Sequence, residues 1–120
     1  MELWGCDPKA LDSTRVVFDV LRKAAKASKA SPIHSACRHF DPQGVTGIMM
    51  VQESHFSVHT WPEAGYAAVD AFTCGTKCDP LRAVEVFKEG LRADSVEVME
   101  IVRGVRESAQ EEAQALAVAS

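Results

Sequence analysis

The sequence predicts an α+β fold: a two-layer sandwich with a mostly antiparallel sheet covered on one face by two helices. Two segments open with an Asp-Pro pair and then carry apolar residues at helical spacing. Around them lie short runs rich in β-branched and aromatic residues, separated by turns that contain Pro or Gly. No Pro-, Gly- or Ser-rich linker divides the chain, so we expect a single domain over residues 1–120.

The first helix begins at Asp7-Pro8, since Asp can cap a helix and Pro suits its first position. It is expected to run to about Ser28. A second helix begins in the same way at Asp79-Pro80 and continues through Leu91. Apolar residues repeat along one face of each helix, which is the pattern of helices packed on a sheet. The expected inward residues are Leu11, Val17, Val20, Leu21 and Ala24 in the first helix, and Val84, Phe87 and Leu91 in the second.

Strands are expected at about residues 31 to 40, 45 to 53, 56 to 61, 66 to 74 and 95 to 102. Pro62-Glu63-Ala64-Gly65 is typical of a hairpin turn, so the numbers of paired residues should sum to about 127 or 128. Ser54 would then lie opposite Thr73 or Cys74. Regular strand geometry points Ser54 and His59 to opposite faces, so a site that they share requires a bend or bulge near Ser54.

Composition excludes several functions. A net charge of -4 argues against nucleic acid, and the absence of a signal peptide or long apolar run argues against a membrane protein. The four cysteines contain no Cys-x-x-Cys pair, which indicates free thiols in a reducing cytoplasm. His55 and His59 would be about 13 Å apart along a strand, too far to share a metal, so we predict no metal site. Residues 107 to 120 form an Ala/Glu/Gln-rich tail that favours a helix but has little to pack against.

Reactive residue types are concentrated between residues 53 and 75. Taken singly, each also has a structural interpretation. Cys74 would be a small buried hydrophobe, Glu63 a solvated turn residue, and Phe40 and Trp61 core or interface residues. For Trp61 that structural interpretation is preferred.

Several blocks of this region, at their observed separations, resemble the S-adenosylmethionine decarboxylase proenzymes of bacteria and archaea, the short pyruvoyl-dependent class. With weaker similarity the resemblance covers Leu3 to about Gly104. The blocks are Glu53-Ser54-His55, His59-Thr60-Trp61-Pro62-Glu63, Gly65-Tyr66-Ala67-Ala68-Val69-Asp70 and Phe72-Thr73-Cys74-Gly75.

The resemblance implies self-cleavage between Glu53 and Ser54. In this family the Ser hydroxyl attacks the carbonyl of the preceding Glu, an ester replaces the peptide bond, and β-elimination leaves a covalent pyruvoyl group. Residues 1–53 would become the β chain and residues 54–120 the α chain. The pyruvoyl carbonyl then forms a Schiff base with the amine of a small-molecule substrate and accepts the electrons released by decarboxylation.

The resemblance also implies the roles of the other site residues. His59 matches the base that removes the Ser Cα proton, and Thr46 a hydroxyl that hydrogen-bonds the cyclic intermediate. Cys74 matches the acid that returns a proton to the product carbon. Phe40 matches an aromatic that stacks on adenine, and Glu63 a carboxylate that accepts hydrogen bonds from the ribose hydroxyls.

Two departures from the family leave the substrate open. The chain begins inside the first strand of its relatives, near Leu3, and Ala64 stands where many relatives have a larger residue. Decarboxylation of ornithine or arginine is therefore an alternative activity. An unprocessed regulatory homologue is a further alternative, although it would require a broken processing set. Relatives of this length form homodimers of αβ protomers, and an exposed sheet in so small a chain is a physical reason to expect the same here.

Overall fold

The computed structural model describes residues 1–104 and the backbone of a short strand at Val118–Ala119. Most of the predicted tail, at positions 107–117 and 120, lies outside the described residues. In chain order the elements are strand β1 (Glu2–Trp4), helices α1 (Pro8–Leu11) and α2 (Thr14–Ala27), strands β2 (Pro32–His39), β3 (Val45–Val51), β4 (Ser54–Trp61) and β5 (Tyr66–Thr73), helix α3 (Ala83–Gly90), and strands β6 (Ser95–Glu97) and β7 (Val118–Ala119).

All the strands form one antiparallel sheet in the order β2-β3-β4-β5-β1-β6, with β7 also paired to β5. The β4–β5 hairpin pairs His55 with Phe72 and Trp61 with Tyr66, so the sum of 127 is confirmed. Its connection is a 3₁₀ turn, Pro62–Ala64, closed by Gly65 at φ 61°. A positive φ at that point costs glycine little, which explains why the turn ends there.

The helices pack on one face of the sheet and confirm the predicted α+β architecture. Helix α2 contacts β2, β3 and β4, and α3 packs beside α2. The core between the layers consists mainly of apolar side chains, which folding removes from water. Its fully buried members include Leu3, Leu11, Val17, Leu21, Phe56, Val58, Val69, Phe87 and Leu91.

The first predicted helix is broken in two, which corrects the continuous helix expected from Asp7 to Ser28. The break lies at Asp12 and Ser13, where the Ser13 hydroxyl accepts a hydrogen bond of 3.2 Å from the Val16 amide and begins α2 anew. Local capping thus overrides the apolar repeat. Because the helix is interrupted at this point, the Asp12 side chain can reach residues outside the helix.

Two other boundaries differ from expectation. Asp79 caps a 3₁₀ turn, Pro80–Arg82, through a hydrogen bond of 3.1 Å from the Leu81 amide, and α3 begins only after it. The predicted strand 95 to 102 ends at Glu97, because β6 pairs only with the three residues of the short strand β1. None of the helices in the described part of the chain is both long and apolar enough to cross a membrane.

Candidate active site

The sheet face opposite the helices carries the predicted base and its hydroxyl partner. Along β4 the side chains alternate: Phe56 and Val58 are buried under the helices, whereas His59 shares the other face with Trp61. Thr46 on β3 is directly opposite His59. The two predicted residues therefore meet on neighbouring strands without any help from a loop.

Thr46 and His59 form a hydrogen bond, with 2.9 Å between Oγ1 of Thr46 and Nδ1 of His59. When Nδ1 carries the ring proton, its N–H donates a hydrogen bond to Oγ1 of Thr46, and Nε2 is left unprotonated and able to act as a base. Both side chains are half-buried, so the ring is held in place while one edge stays open. This arrangement suits a histidine that must remove a proton at neutral pH.

A cleft of about 370 Å³ opens beside this pair, at the end of the sheet where β4 meets the 3₁₀ turn. Phe40 enters it from the β2–β3 loop, and Glu63 from the turn after β4. An aromatic ring and an exposed carboxylate thus flank the Thr46–His59 pair, as the resemblance implies. The complete lining is Phe40, Gln43, Gly44, Val45, Thr46, His59, Thr60, Trp61 and Glu63.

Trp61 and Gln43 line the cleft although the sequence did not single them out for the site. Trp61 is 42 % exposed and stacks on Tyr66 at 5.2 Å between ring centroids. Of the two structural roles preferred for it, the core role is therefore wrong, and the interface role stays a prediction. Strand alternation could have found it, because Trp61 lies two residues after His59 and must share its face. Gln43 lies in an irregular loop, where no periodic signal exists.

The predicted cleavage bond lies in the tight β3–β4 hairpin, where Val51 pairs with Ser54. Ser54 has φ 147°, a backbone conformation that residues other than glycine rarely adopt. The turn is anchored to Ser31, whose amide donates to both carboxylate oxygens of Glu53 at 2.8 and 3.2 Å. The Ser31 carbonyl accepts from the Gln52 amide at 2.9 Å. The surrounding contacts thus hold a strained residue at the predicted scissile bond.

Cys74 follows the last residue of β5 at the same end of the sheet as Ser54. Extending the β4–β5 register by one step from His55 and Phe72 puts Ser54 across from Thr73, with Cys74 one residue beyond. The hairpin argument for these two residues therefore holds to within one position. Both are half-buried.

Ser54 and His59, in contrast, are not brought together within the chain. The pairing of β4 with β5 is continuous from His55 to Trp61 and contains no bulge. Five residues of regular strand span about 16 Å, which no side-chain contact can bridge. The predicted site residues thus form two groups on one protomer: Ser54 with Cys74 at one end of the hairpin, and the cleft with Thr46 and His59 at the other.

The remaining thiols are held protonated. Burial raises the pKa of Cys6 to about 11, with the nearby Asp94 carboxylate adding to the effect. Burial is also the largest cause that raises the pKa of Cys37 and of Cys78. A neutral thiol is a poor nucleophile, so the raised pKa values argue against a nucleophilic role for these three cysteines. Within residues 1–104 no group of three or more His, Cys, Asp or Glu side chains is arranged to hold a metal ion.

A larger groove of about 750 Å³ lies on the other side of the molecule, between α2 and α3. Its walls mix apolar and charged residues, including Arg15, Phe18 and Glu89. None of the predicted site residues lines it. The predicted site residues therefore lie away from this groove.

The chain is similar to known proteins over most of its length. The sequence profile described as S-adenosylmethionine decarboxylase matches residues 1–104. A protein of Methanococcus vannielii, named S-adenosylmethionine decarboxylase proenzyme, is 47% identical over 105 residues, which cover 88% of this chain and 86% of that protein. The proenzyme of the same name from Caldanaerobacter subterraneus is 42% identical over 106 residues, 88% of this chain and 86% of the relative.

A solved structure is similar as well. The adenosylmethionine decarboxylase of Aquifex aeolicus superimposes with a TM-score of 0.80 at 33% identity, and the match covers 88% of each chain. The fold and the sequence similarity indicate a decarboxylase of the proenzyme type. The chain belongs to the S-adenosylmethionine decarboxylase family.

Proposed function

We propose that this protein is a self-processing decarboxylase that converts S-adenosylmethionine to its decarboxylated form and CO2, a reaction that supplies spermidine biosynthesis. The observation that carries the proposal is the cleft, in which Phe40 and Glu63 flank the hydrogen-bonded Thr46 and His59. An aromatic ring and a carboxylate suit the adenine and ribose of a nucleoside substrate. Ornithine and arginine have neither group, so the cleft favours S-adenosylmethionine over them.

The strained turn supports processing at Ser54. The Ser54 hydroxyl attacks the Glu53 carbonyl carbon, the C–N bond breaks, and an ester replaces the peptide bond. Release from φ 147° offsets part of the cost of that exchange. The contacts of Glu53 and Gln52 with Ser31 keep the carbonyl in place while the new amine departs. Residues 1–53 and 54–120 remain joined by the sheet, because β3 and β4 are paired from Thr46 with His59 to Val51 with Ser54.

Elimination requires a base at the Ser54 Cα, and His59 of the same chain is about 16 Å away along β4. We therefore propose that the active protein is a homodimer, in which the Thr46–His59 pair of one copy faces Ser54 and Cys74 of the other. The uncovered sheet face supplies an apolar surface for such an interface. Its exposed members include Trp4, Ile48, Met50 and Trp61, each more than 40 % accessible.

In the proposed site the base takes the Cα proton and the ester C–O bond breaks, which frees the Glu53 carboxylate. Hydrolysis of the resulting enamine releases ammonia and leaves the pyruvoyl group at the α-chain terminus. That group supplies a carbonyl that bonds the substrate amine and takes up electrons as CO2 leaves. Cys74, beside Ser54, is then placed to donate a proton to the substrate carbon. The four unpaired thiols support a cytoplasmic location.

The proposal is tested by the release of CO2 from carboxyl-labelled S-adenosylmethionine, ornithine and arginine in parallel. We expect release from S-adenosylmethionine alone. Intact mass of the same sample should show two chains that end at Glu53 and begin at the former Ser54. A single uncut species of 13.0 kDa with no CO2 release would contradict the proposal and favour a regulatory homologue.

A further inference from the structure

The loop that carries Phe40 into the cleft is held from outside the sheet by one side chain of the helical layer. Oδ1 of Asp12 accepts a hydrogen bond from Nε2 of His39 at 2.7 Å and another from the Gly44 amide at 2.9 Å. These two donors stand on either side of Phe40 in sequence. A single carboxylate oxygen therefore closes the base of the loop.

Two further contacts of the described residues help to shape the loop. The guanidinium carbon of Arg38 lies over the Phe40 ring, 5.9 Å from its centroid. Within the loop the Phe40 amide donates to the Gly44 carbonyl at 2.8 Å. Gly44 has φ 107°, and a Cβ at that position would lie 3.1 Å from the Thr60 carbonyl oxygen. The positive φ and the close approach to Thr60 both favour glycine at this position.

The helical junction is itself tied to the strand beneath the cleft. Leu11, just before Asp12, is fully buried, and its carbonyl accepts from the Thr60 hydroxyl at 2.7 Å. The same hydroxyl accepts from the Val45 amide at 2.8 Å. Asp12 lies at the junction between α1 and α2. Because these hydrogen bonds anchor the junction to the strands, the Asp12 side chain extends from a fixed position.

We infer that Asp12 is a positioning residue that sets the affinity for the nucleoside part of the substrate by holding the Phe40 loop. The inference rests on the proposed function of the cleft. Asp12 does not line the cleft and touches no reacting group, so it acts through the loop alone. The Thr46–His59 pair lies on regular strands that pair independently of the loop. Loss of Asp12 should therefore weaken substrate binding and leave self-cleavage and the chemical step intact.

The test compares Asp12→Ala with Asp19→Ala, a matched control. Asp19 is also an exposed, ion-paired aspartate of the helical layer, but it bonds Arg22 and Lys23 of its own helix. We expect Asp12→Ala to raise KM for S-adenosylmethionine about tenfold, equivalent to about 1.4 kcal/mol, with kcat within about twofold. Asp19→Ala should leave both constants unchanged. Asp12→Asn, which retains an acceptor oxygen, should recover part of the loss.

Direct binding of 5′-methylthioadenosine, measured by calorimetry, separates this inference from the proposed function. This nucleoside has neither the amine nor the carboxylate of the substrate, so its dissociation constant reports the cleft without turnover. It should rise about tenfold in Asp12→Ala and about threefold in His39→Ala, which removes one of the two bonds. If the wild type releases no CO2 from S-adenosylmethionine, the proposed function fails, while the binding comparison still decides the role of Asp12.

Equal dissociation constants in wild type, Asp12→Ala and His39→Ala would overturn the inference. So would a fall in kcat or in cleavage rate as large as the rise in KM, because that pattern marks general loss of structure. Should Asp12→Ala fail to fold, the His39→Ala variant decides, since it leaves the α1–α2 junction unchanged.

Discussion

Thr46 and His59 face each other across β3 and β4 and share a hydrogen bond of 2.9 Å. We expect this bond to let Thr46 orient the proposed base, His59. Thr46→Val removes the hydroxyl and keeps the shape, so we expect self-cleavage to slow about five- to tenfold, the rate equivalent of about 1 kcal/mol. Thr46→Ser should cleave at the normal rate. The half-time of chain separation on denaturing gels measures this, and equal half-times for the two variants would exclude the orienting role.

The strained serine at the β3–β4 turn is the proposed nucleophile. Ser54→Ala should leave the protein uncut, because alanine has no hydroxyl and cannot yield a pyruvoyl group. Ser95→Ala, an exposed serine at the start of β6, serves as the control and should be cut normally. Intact mass spectrometry after long incubation checks both. Recovery of two chains from the Ser54 variant would remove serine attack from the mechanism.

The separation of Ser54 from His59 predicts complementation between copies. Alone, His59→Ala should stall at the ester, which hydroxylamine splits, and Ser54→Ala should not react. Co-expressed with different tags, the two form mixed dimers in which one site has both residues intact. We expect the His59→Ala chain, and not the Ser54→Ala chain, to mature to the pyruvoyl form. If neither chain matures in purified mixed dimers, each site is built within one chain.

Cys74 is the proposed proton donor after CO2 departs. Cys74→Ala should lower the turnover rate about 10²- to 10⁴-fold, because the proton donor is missing. Self-cleavage should at most become slower, and it should still occur. Misprotonation would place the proton on the pyruvoyl carbon and convert the cofactor to alanine during use. Mass spectrometry of the α chain before and after incubation with substrate detects this conversion. Cys78→Ala is the control, and a fully active Cys74→Ala protein with an unchanged terminus would leave Cys74 a structural thiol.

The hydrogen bonds of Asp12 also predict how stability depends on pH. The Gly44 amide, and next the His39 ring, lower the pKa of Asp12 below its usual value. Because the pKa of Asp12 is lower in the folded state than in the unfolded state, where it is about 3.9, ionised Asp12 adds to the free energy of unfolding at pH values above that value. This contribution is lost as the pH falls through the pKa of the folded state. Asp12→Asn should therefore be less stable than wild type near pH 7, and the gap should close below about pH 4. Urea unfolding at both pH values measures the gap, and a constant gap would contradict the prediction.

Much of the fold could be predicted from the sequence because its signals are local. The Pro-Gly turn and the alternation along β4 and β5 determined the hairpin register, and residue spacing alone placed Ser54 within one position of Cys74. The capping signal at Ser13 was equally local, yet the apolar repeat around it concealed the break between α1 and α2. The motif that resembles the decarboxylase proenzymes lies in the same hairpin.

Only the tertiary structure decided which site residues meet. Whether a strand bends depends on its neighbours, and β4 stays regular because β3 and β5 pair with it along its length, which keeps Ser54 away from His59. The hydrogen bond from the Gly44 amide to Asp12, which holds the Phe40 loop, joins residues 32 positions apart in sequence. Such contacts follow from how the helical layer sits on the sheet, and no periodic pattern in the chain encodes them.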